Sequence, residues 1–137
     1  MKITDSIMTT GEIPMVTEFE EIEPVFFVKQ DSGWQPDKLL DDQALIIDAE
    51  PGLVVILGCA HRGIINTLYH AQQLSGKKSI YMVLGGSHLI HASKERIRLT
   101  ISALRELGVQ RLGLCHCTGP QATVQMAHEF GDKFLFN

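Results

Sequence analysis

The sequence has 137 residues, of which 45% are hydrophobic and 20% charged, with a formal net charge of −4. That is enough chain for one domain with a buried core, and too apolar for a disordered segment. It has no lysine- or arginine-rich block to engage nucleic acid, and no apolar run near the ~18 to 20 residues of a membrane span.

The start, Met1-Lys2-Ile3-Thr4-Asp5, lacks the apolar core of a signal peptide, so the expectation is a cytoplasmic protein whose three cysteines are thiols. Residues 1 to 42 read as an irregular arm. Ile3, Ile7 and Met8 suit an edge strand, and Thr9 to Pro14 a turn. The acidic run from Glu18 to Glu23 reads as solvated. Val25 to Lys29 has the β-branched and aromatic content of a short strand, Asp31-Ser32-Gly33 is turn chemistry, and Trp34 to Asp42 reads as a loop.

From Gln43 the pattern strengthens. Ala44 to Ala49 and Leu53 to Leu57 are apolar runs joined by Glu50-Pro51-Gly52, which predicts an antiparallel hairpin. Helices follow: one with Ile64, Leu68 and Ala71 on a stripe, Ile65 and Tyr69 beside it, and Gly76 as its stop. A second is capped by Ser93 with Ile97, Ile101 and Leu104 inward, and a third opens at Gly119-Pro120 with Ala122, Met126 and Phe130 inward. Between and after them lie strands at Ser79 to Leu84, Arg111 to Cys115 and Lys133 to Phe136. The expected architecture is a single α/β (α+β) domain over residues 1 to 137, with a mixed sheet of about five or six strands and helices mainly on one face.

That arrangement leaves a surplus. Leu53, Val55 and Leu57 point to one face of their strand, Val54 and Ile56 to the other. Three helices on one side would leave the second face apolar and open, so a partner or a second copy of the chain is expected to cover it.

Three strands end in histidine-bearing turns: Gly58-Cys59-Ala60-His61-Arg62-Gly63, Gly85-Gly86-Ser87-His88 and Cys115-His116-Cys117. Adjacent strand ends would bring His61, His88 and His116 within reach of one metal ion. His70, His91 and His128 read as surface or helix-packing residues. Cys59 with Cys115 or Cys117 and histidines offers a closed zinc site instead. Strand alternation, however, sends Cys115 and Cys117 to the side opposite His116, so buried thiols are the preferred reading. Asp41 and Asp42 could pair for metal or base chemistry, but a turn capped by aspartate is the simpler reading.

Gly58 to Leu68, Gly85-Gly86-Ser87-His88-Leu89 and His116-Cys117-Thr118-Gly119 together resemble the metallo-β-lactamase-fold hydrolases. Thr10-Gly11-Glu12-Ile13-Pro14 and Asp41-Asp42-Gln43-Ala44-Leu45 add similarity to the branch of dihydropterin-ribofuranosylaminobenzene-phosphate synthase-like proteins; Met15 departs from it. The resemblance implies the C-terminal half of a four-layer αββα sandwich with a one- or two-metal hydrolytic site. It implies His61 and His116 as metal ligands, and His88 in place of the usual bridging aspartate. The ion would be Zn, Mn or Fe. The His-x-His-x-Asp-His run of the family's N-terminal half does not occur in this sequence. The chain is therefore expected to need a separately encoded N-terminal half, or to self-associate as a homo-oligomer without catalysis; a small-molecule substrate is expected only with the site completed.

Overall fold

The computed structural model describes residues 1–136. Its strands are β1 (Ile7–Thr9), β2 (Phe27–Gln30), β3 (Gly33–Pro36), β4 (Ala44–Ala49), β5 (Gly52–Leu57), β6 (Ile80–Gly86) and β7 (Arg111–Cys115). Its α-helices are α1 (Ile64–Ser75), α2 (Lys94–Glu106) and α3 (Gly119–Phe130). The main sheet has five strands in the order β1-β4-β5-β6-β7, and β2 and β3 form a separate hairpin.

The β4–β5 hairpin forms where its sequence demands it. Ala49 pairs with Gly52 across Glu50-Pro51, and Gly52 adopts φ 136, open only to a residue without a Cβ. From β5 onward the strands run parallel, joined through α1 and α2, and the order advances in one direction. Crossovers that advance one way leave their helices on one face, and the three helices accordingly pack beside one another there. Ser93 caps α2 by accepting from Arg96 N–H at 3.1 Å, and Gly76 ends α1 in the left-handed conformation. The inward stripes fill the core as expected, apart from Tyr69, which is exposed.

One packing detail has a backbone cause. Ile80 and Val83 are both fully buried although three positions apart in a strand. The register shifts between Leu53 and Val54, which pair with Ile80 and Met82, so Tyr81 is the extra residue of a bulge. That bulge resets alternation and turns both aliphatic side chains to the helices.

The second face remains half-exposed. Leu45 and Ile47 of β4, Val54 and Ile56 of β5, and Met82 and Leu84 of β6 are all only partly buried. Cross-strand pairing aligns them into two rows, Ile47–Val54–Met82 and Leu45–Ile56–Leu84. They make a continuous aliphatic surface.

Three expectations need correction. Trp34 to Pro36 lie not in a loop but in β3, paired with β2. Lys133 to Phe136 do not form a strand: Gly131–Lys133 is a 3₁₀ turn, and Phe134 makes a single bridge to Leu112. The acidic run is not uniformly solvated, because Glu20 is 3% exposed. Its carboxylate accepts from the N–H groups of Ile65 and Asn66 at 2.9 and 2.8 Å, at the start of α1. Gly63, the residue preceding that helix, offers no side-chain cap, so a distant glutamate supplies the acceptor.

Candidate metal centre

The polar residues of the Gly58–Gly63 turn and the start of α1 fasten the arm to the sheet. Arg62 is buried; its Nε donates to Ile13 O at 2.6 Å, one terminal nitrogen donates to Lys38 O, and the other lies 3.5 Å from the Glu12 carboxylate. Asn66 Oδ1 accepts from Val16 N–H and Thr17 N–H at 2.9 and 2.8 Å. Asp42 accepts from Arg62 N–H at 2.8 Å, a long-range bond to the Gly58–Gly63 turn and not the capping of its own turn expected from the sequence; there Asp37 accepts from Leu39 N–H.

The three strand ends are stitched to each other. Gly86 N–H donates to Gly58 O at 3.0 Å, Ser87 Oγ donates to Thr118 Oγ1 at 2.9 Å, and Ile90 N–H donates to Cys117 O at 3.1 Å. Ser87 and Thr118 are fully buried. Ala60, His88 and His116 all hold positive φ, at 51, 46 and 52. Such conformations cost of order 1–3 kcal/mol each and persist only where surrounding contacts hold them. Their concentration at three adjacent strand ends marks a built site.

His61 and His88 meet there. Their ring centroids are 4.1 Å apart, and Phe26 covers both, at 5.0 Å from His61 and 6.1 Å from His88. Glu23 places a carboxylate oxygen 3.4 Å from His88 Nε2, close enough for charge attraction without hydrogen-bond alignment. Burial lowers the His88 pKa, the neighbouring His61 adds to that, and Glu23 opposes it. His88 is thereby biased toward the neutral, ligand-competent form.

His116 is exposed, and the set it joins is different. Its ligand nitrogen and the sulfurs of Cys59 and Cys117 all lie within 4.8 Å of one another. Among the described residues no other trio of histidine, cysteine and acidic ligand atoms is this compact. The alternation expected of Cys115-His116-Cys117 fails because β7 ends at Cys115 and His116–Thr118 is a 3₁₀ turn. Cys117 Sγ accepts from His88 N–H at 3.2 Å and donates toward Cys59 O at 3.6 Å. Burial pushes the Cys117 thiol up to about 11, against the pull of the His88 N–H. Cys115 stays outside the trio. His70 bonds Thr10 O through Nε2 at 3.2 Å, and His91 and His128 are exposed.

A Cβ on Gly86 would lie 2.7 Å from Cys117 Sγ, 2.7 Å from Gly58 O and 3.1 Å from Cys59 Cα. Gly86→Ala is therefore expected to cost about 1–3 kcal/mol by overpacking and to expose Cys117. A thermal melt reads the first effect. Faster reaction of the reduced protein with a disulfide reagent reads the second; an unchanged melt and thiol rate would contradict it.

No protein-family model matches the chain. A crystal structure of Tm1679, described as a metal-dependent hydrolase of the β-lactamase superfamily, aligns with all of this chain at a TM-score of 0.84 and 33% identity, using 52% of its own length. The chain has the fold of one half of a metallo-β-lactamase superfamily hydrolase. Two Methanocaldococcus jannaschii proteins are similar in sequence. One is a 7,8-dihydropterin-6-methyl-4-(β-D-ribofuranosyl)-aminobenzene-5′-phosphate synthase, 36% identical over 137 residues, 98% of this chain and 47% of the synthase. The other, uncharacterized protein MJ0448, is 30% identical over 126 residues, 92% of this chain and 45% of its own length. The chain spans about half the length of the curated relatives it matches. Among the described residues no helix is long and apolar enough to cross a membrane.

Sequence reasoning missed Glu23 and Phe26, which cover the imidazole pair. Neither carries a local signal, since their role depends on where the arm folds back.

Proposed function

We propose that this chain is one half of a metal-dependent hydrolase, whose site is completed when the open sheet face is covered by a complementary half. The observation that carries this reading is the packed pair His61 and His88, with Nδ1 of each buried and without a hydrogen-bond partner. Buried imidazole nitrogens left unpaired are costly, and a divalent cation satisfies them. The donor set fits Zn, Mn or Fe, with the exposed His116 of the neighbouring strand end as the candidate further ligand. A cation held there supplies Lewis-acid polarisation of water and of the scissile group.

The chain's own residues prepare that chemistry. His88, biased toward the neutral form by burial, can present an unprotonated nitrogen, and Glu23 beside it can orient that imidazole. Phe26 limits access of bulk solvent to the pair. Hydrolytic chemistry beyond this needs carboxylate and histidine ligands such as those of a His-x-His-x-Asp-His run, which this sequence does not contain.

The same aliphatic face supports a second reading, pairing of two copies sheet to sheet in a non-catalytic assembly. Co-expression with a chain carrying His-x-His-x-Asp-His separates the two. A stable complex that hydrolyses ester or phosphoester reporters, with activity lost in His61→Ala, is the expected result. A chain that pairs only with itself and yields no hydrolysis with such halves would overturn the first reading.

A further inference from the structure

We propose that Cys59, Cys117 and His116 form a second metal site, selective for a thiophilic divalent cation such as Zn²⁺ and separate from the His61–His88 pair. Two sulfurs and one imidazole nitrogen already lie within 4.8 Å of each other. A tetrahedral ion with bonds of about 2.3 Å to sulfur and 2.0–2.1 Å to nitrogen needs these atoms roughly 3.5–3.8 Å apart. The three ligand atoms need to draw together by about 1 Å to meet that geometry.

The surroundings are shaped for the sulfurs. Gly86 leaves the space that a side chain would take from Cys117, and any Cβ there would strike Sγ at 2.7 Å. The His88 N–H already points at that sulfur from 3.2 Å, the kind of outer bond that offsets thiolate charge in metal sites. The bonds Gly86–Gly58, Ser87–Thr118 and Ile90–Cys117 fix the turns that carry Cys59 and Cys117 relative to one another. His116 stands exposed at the rim, so the ion can enter from solvent and keep a fourth position open.

Thiolates select zinc-like ions over magnesium or manganese, whereas imidazole with oxygen donors is more permissive. On binding, each thiol releases its proton to solvent and both sulfurs become anionic ligands. His116 belongs to this trio in the chain by itself and can serve the hydrolytic centre only by leaving it. The proposal stands whether or not the hydrolase reading does.

The test is cobalt titration of the reduced full chain, read by absorption, with competition by Zn²⁺. The expected result is a thiolate-to-cobalt charge-transfer band of one equivalent per chain, displaced by zinc. Cys59→Ser and Cys117→Ser are expected to remove it, with zinc affinity falling by more than about 100-fold, since loss of outer-sphere contacts alone costs 10–100-fold. Cys115→Ser, His61→Ala and His88→Ala should leave it in place. The wild-type band needs no variant to fold. Absence of the band in wild type, its survival in Cys117→Ser, or its loss in His61→Ala would each overturn the proposal. Cobalt bound without the band and lost in His61→Ala would do so while favouring the imidazole centre of the hydrolase reading.

Discussion

Gly63→Ala is expected to be among the most destabilising single changes in this chain, by about 4 kcal/mol or more. Gly63 holds φ 100, and a Cβ there would sit 2.2 Å from Glu20 Oε2 and 2.4 Å from its carboxyl carbon. That carboxylate is pinned between Ile65 N–H and Asn66 N–H and cannot retreat without losing both bonds. Glu20→Ala alone should cost about 3 kcal/mol, because each buried N–H left unpaired costs roughly 1–3 kcal/mol. The pair should not add. With Glu20 truncated, an alanine at position 63 meets no carboxylate; it retains its backbone strain, about 1–3 kcal/mol, and a 2.8 Å approach to the Cβ that remains at position 20. Denaturant melts of the four proteins check this; strict additivity would contradict the placement of Glu20 on α1.

Glu20 also sets a pH signature. Burial raises its carboxyl above the ordinary carboxylate range, opposed by the Ile65, Asn66 and Thr17 bonds and by Arg96. The folded state then binds the proton more tightly than the unfolded state. The contribution of this group is present below the unfolded value and lost as pH rises through the folded one. The stability difference between wild type and Glu20→Gln should therefore move against wild type as pH rises across that window.

Ile56→Asp is the second large effect, and it concerns assembly. Ile56 lies between Leu45 and Leu84 in the middle of the aliphatic face. If a second sheet covers that face, a buried unpaired carboxylate there should abolish the complex, since such charges cost several kcal/mol. Obligate apolar interfaces bury more than about 2,000 Å². Sedimentation of wild type, alone or mixed with a His-x-His-x-Asp-His half, is expected to show a complex at micromolar concentration, reduced to monomer by Ile56→Asp. Val124→Asp, on the exposed side of α3, should change nothing. A wild-type chain that stays monomeric alone and with His-x-His-x-Asp-His partners would remove the covered face.

The sheet and helices were legible in the sequence because their information is local: the Glu50-Pro51-Gly52 turn, the stripes of α1, α2 and α3, and the glycines and Ser93 at their ends. The open face was legible for the same reason, from alternation in Leu53 to Leu57. What escaped was set by long-range contacts. Glu20 looks solvated until α1 is placed above it, and Glu23 and Phe26 acquire a role only when the arm returns to the strand ends. His61 and His88 could be paired by position at strand ends. The grouping of His116 with Cys59 and Cys117 was open as an alternative but disfavoured, because alternation presumes extended backbone and His116 turns left-handed at φ 52.

The most direct measurement is the metal content of the assembled protein in a Cys59→Ser/Cys117→Ser background, so that the thiols do not contribute. A half-site built on His61 and His88 predicts transition metal bound when the sheet face is covered, and lost in both His61→Ala and His88→Ala. Metal retained at full stoichiometry in those variants, or an assembled protein that binds none, would contradict it.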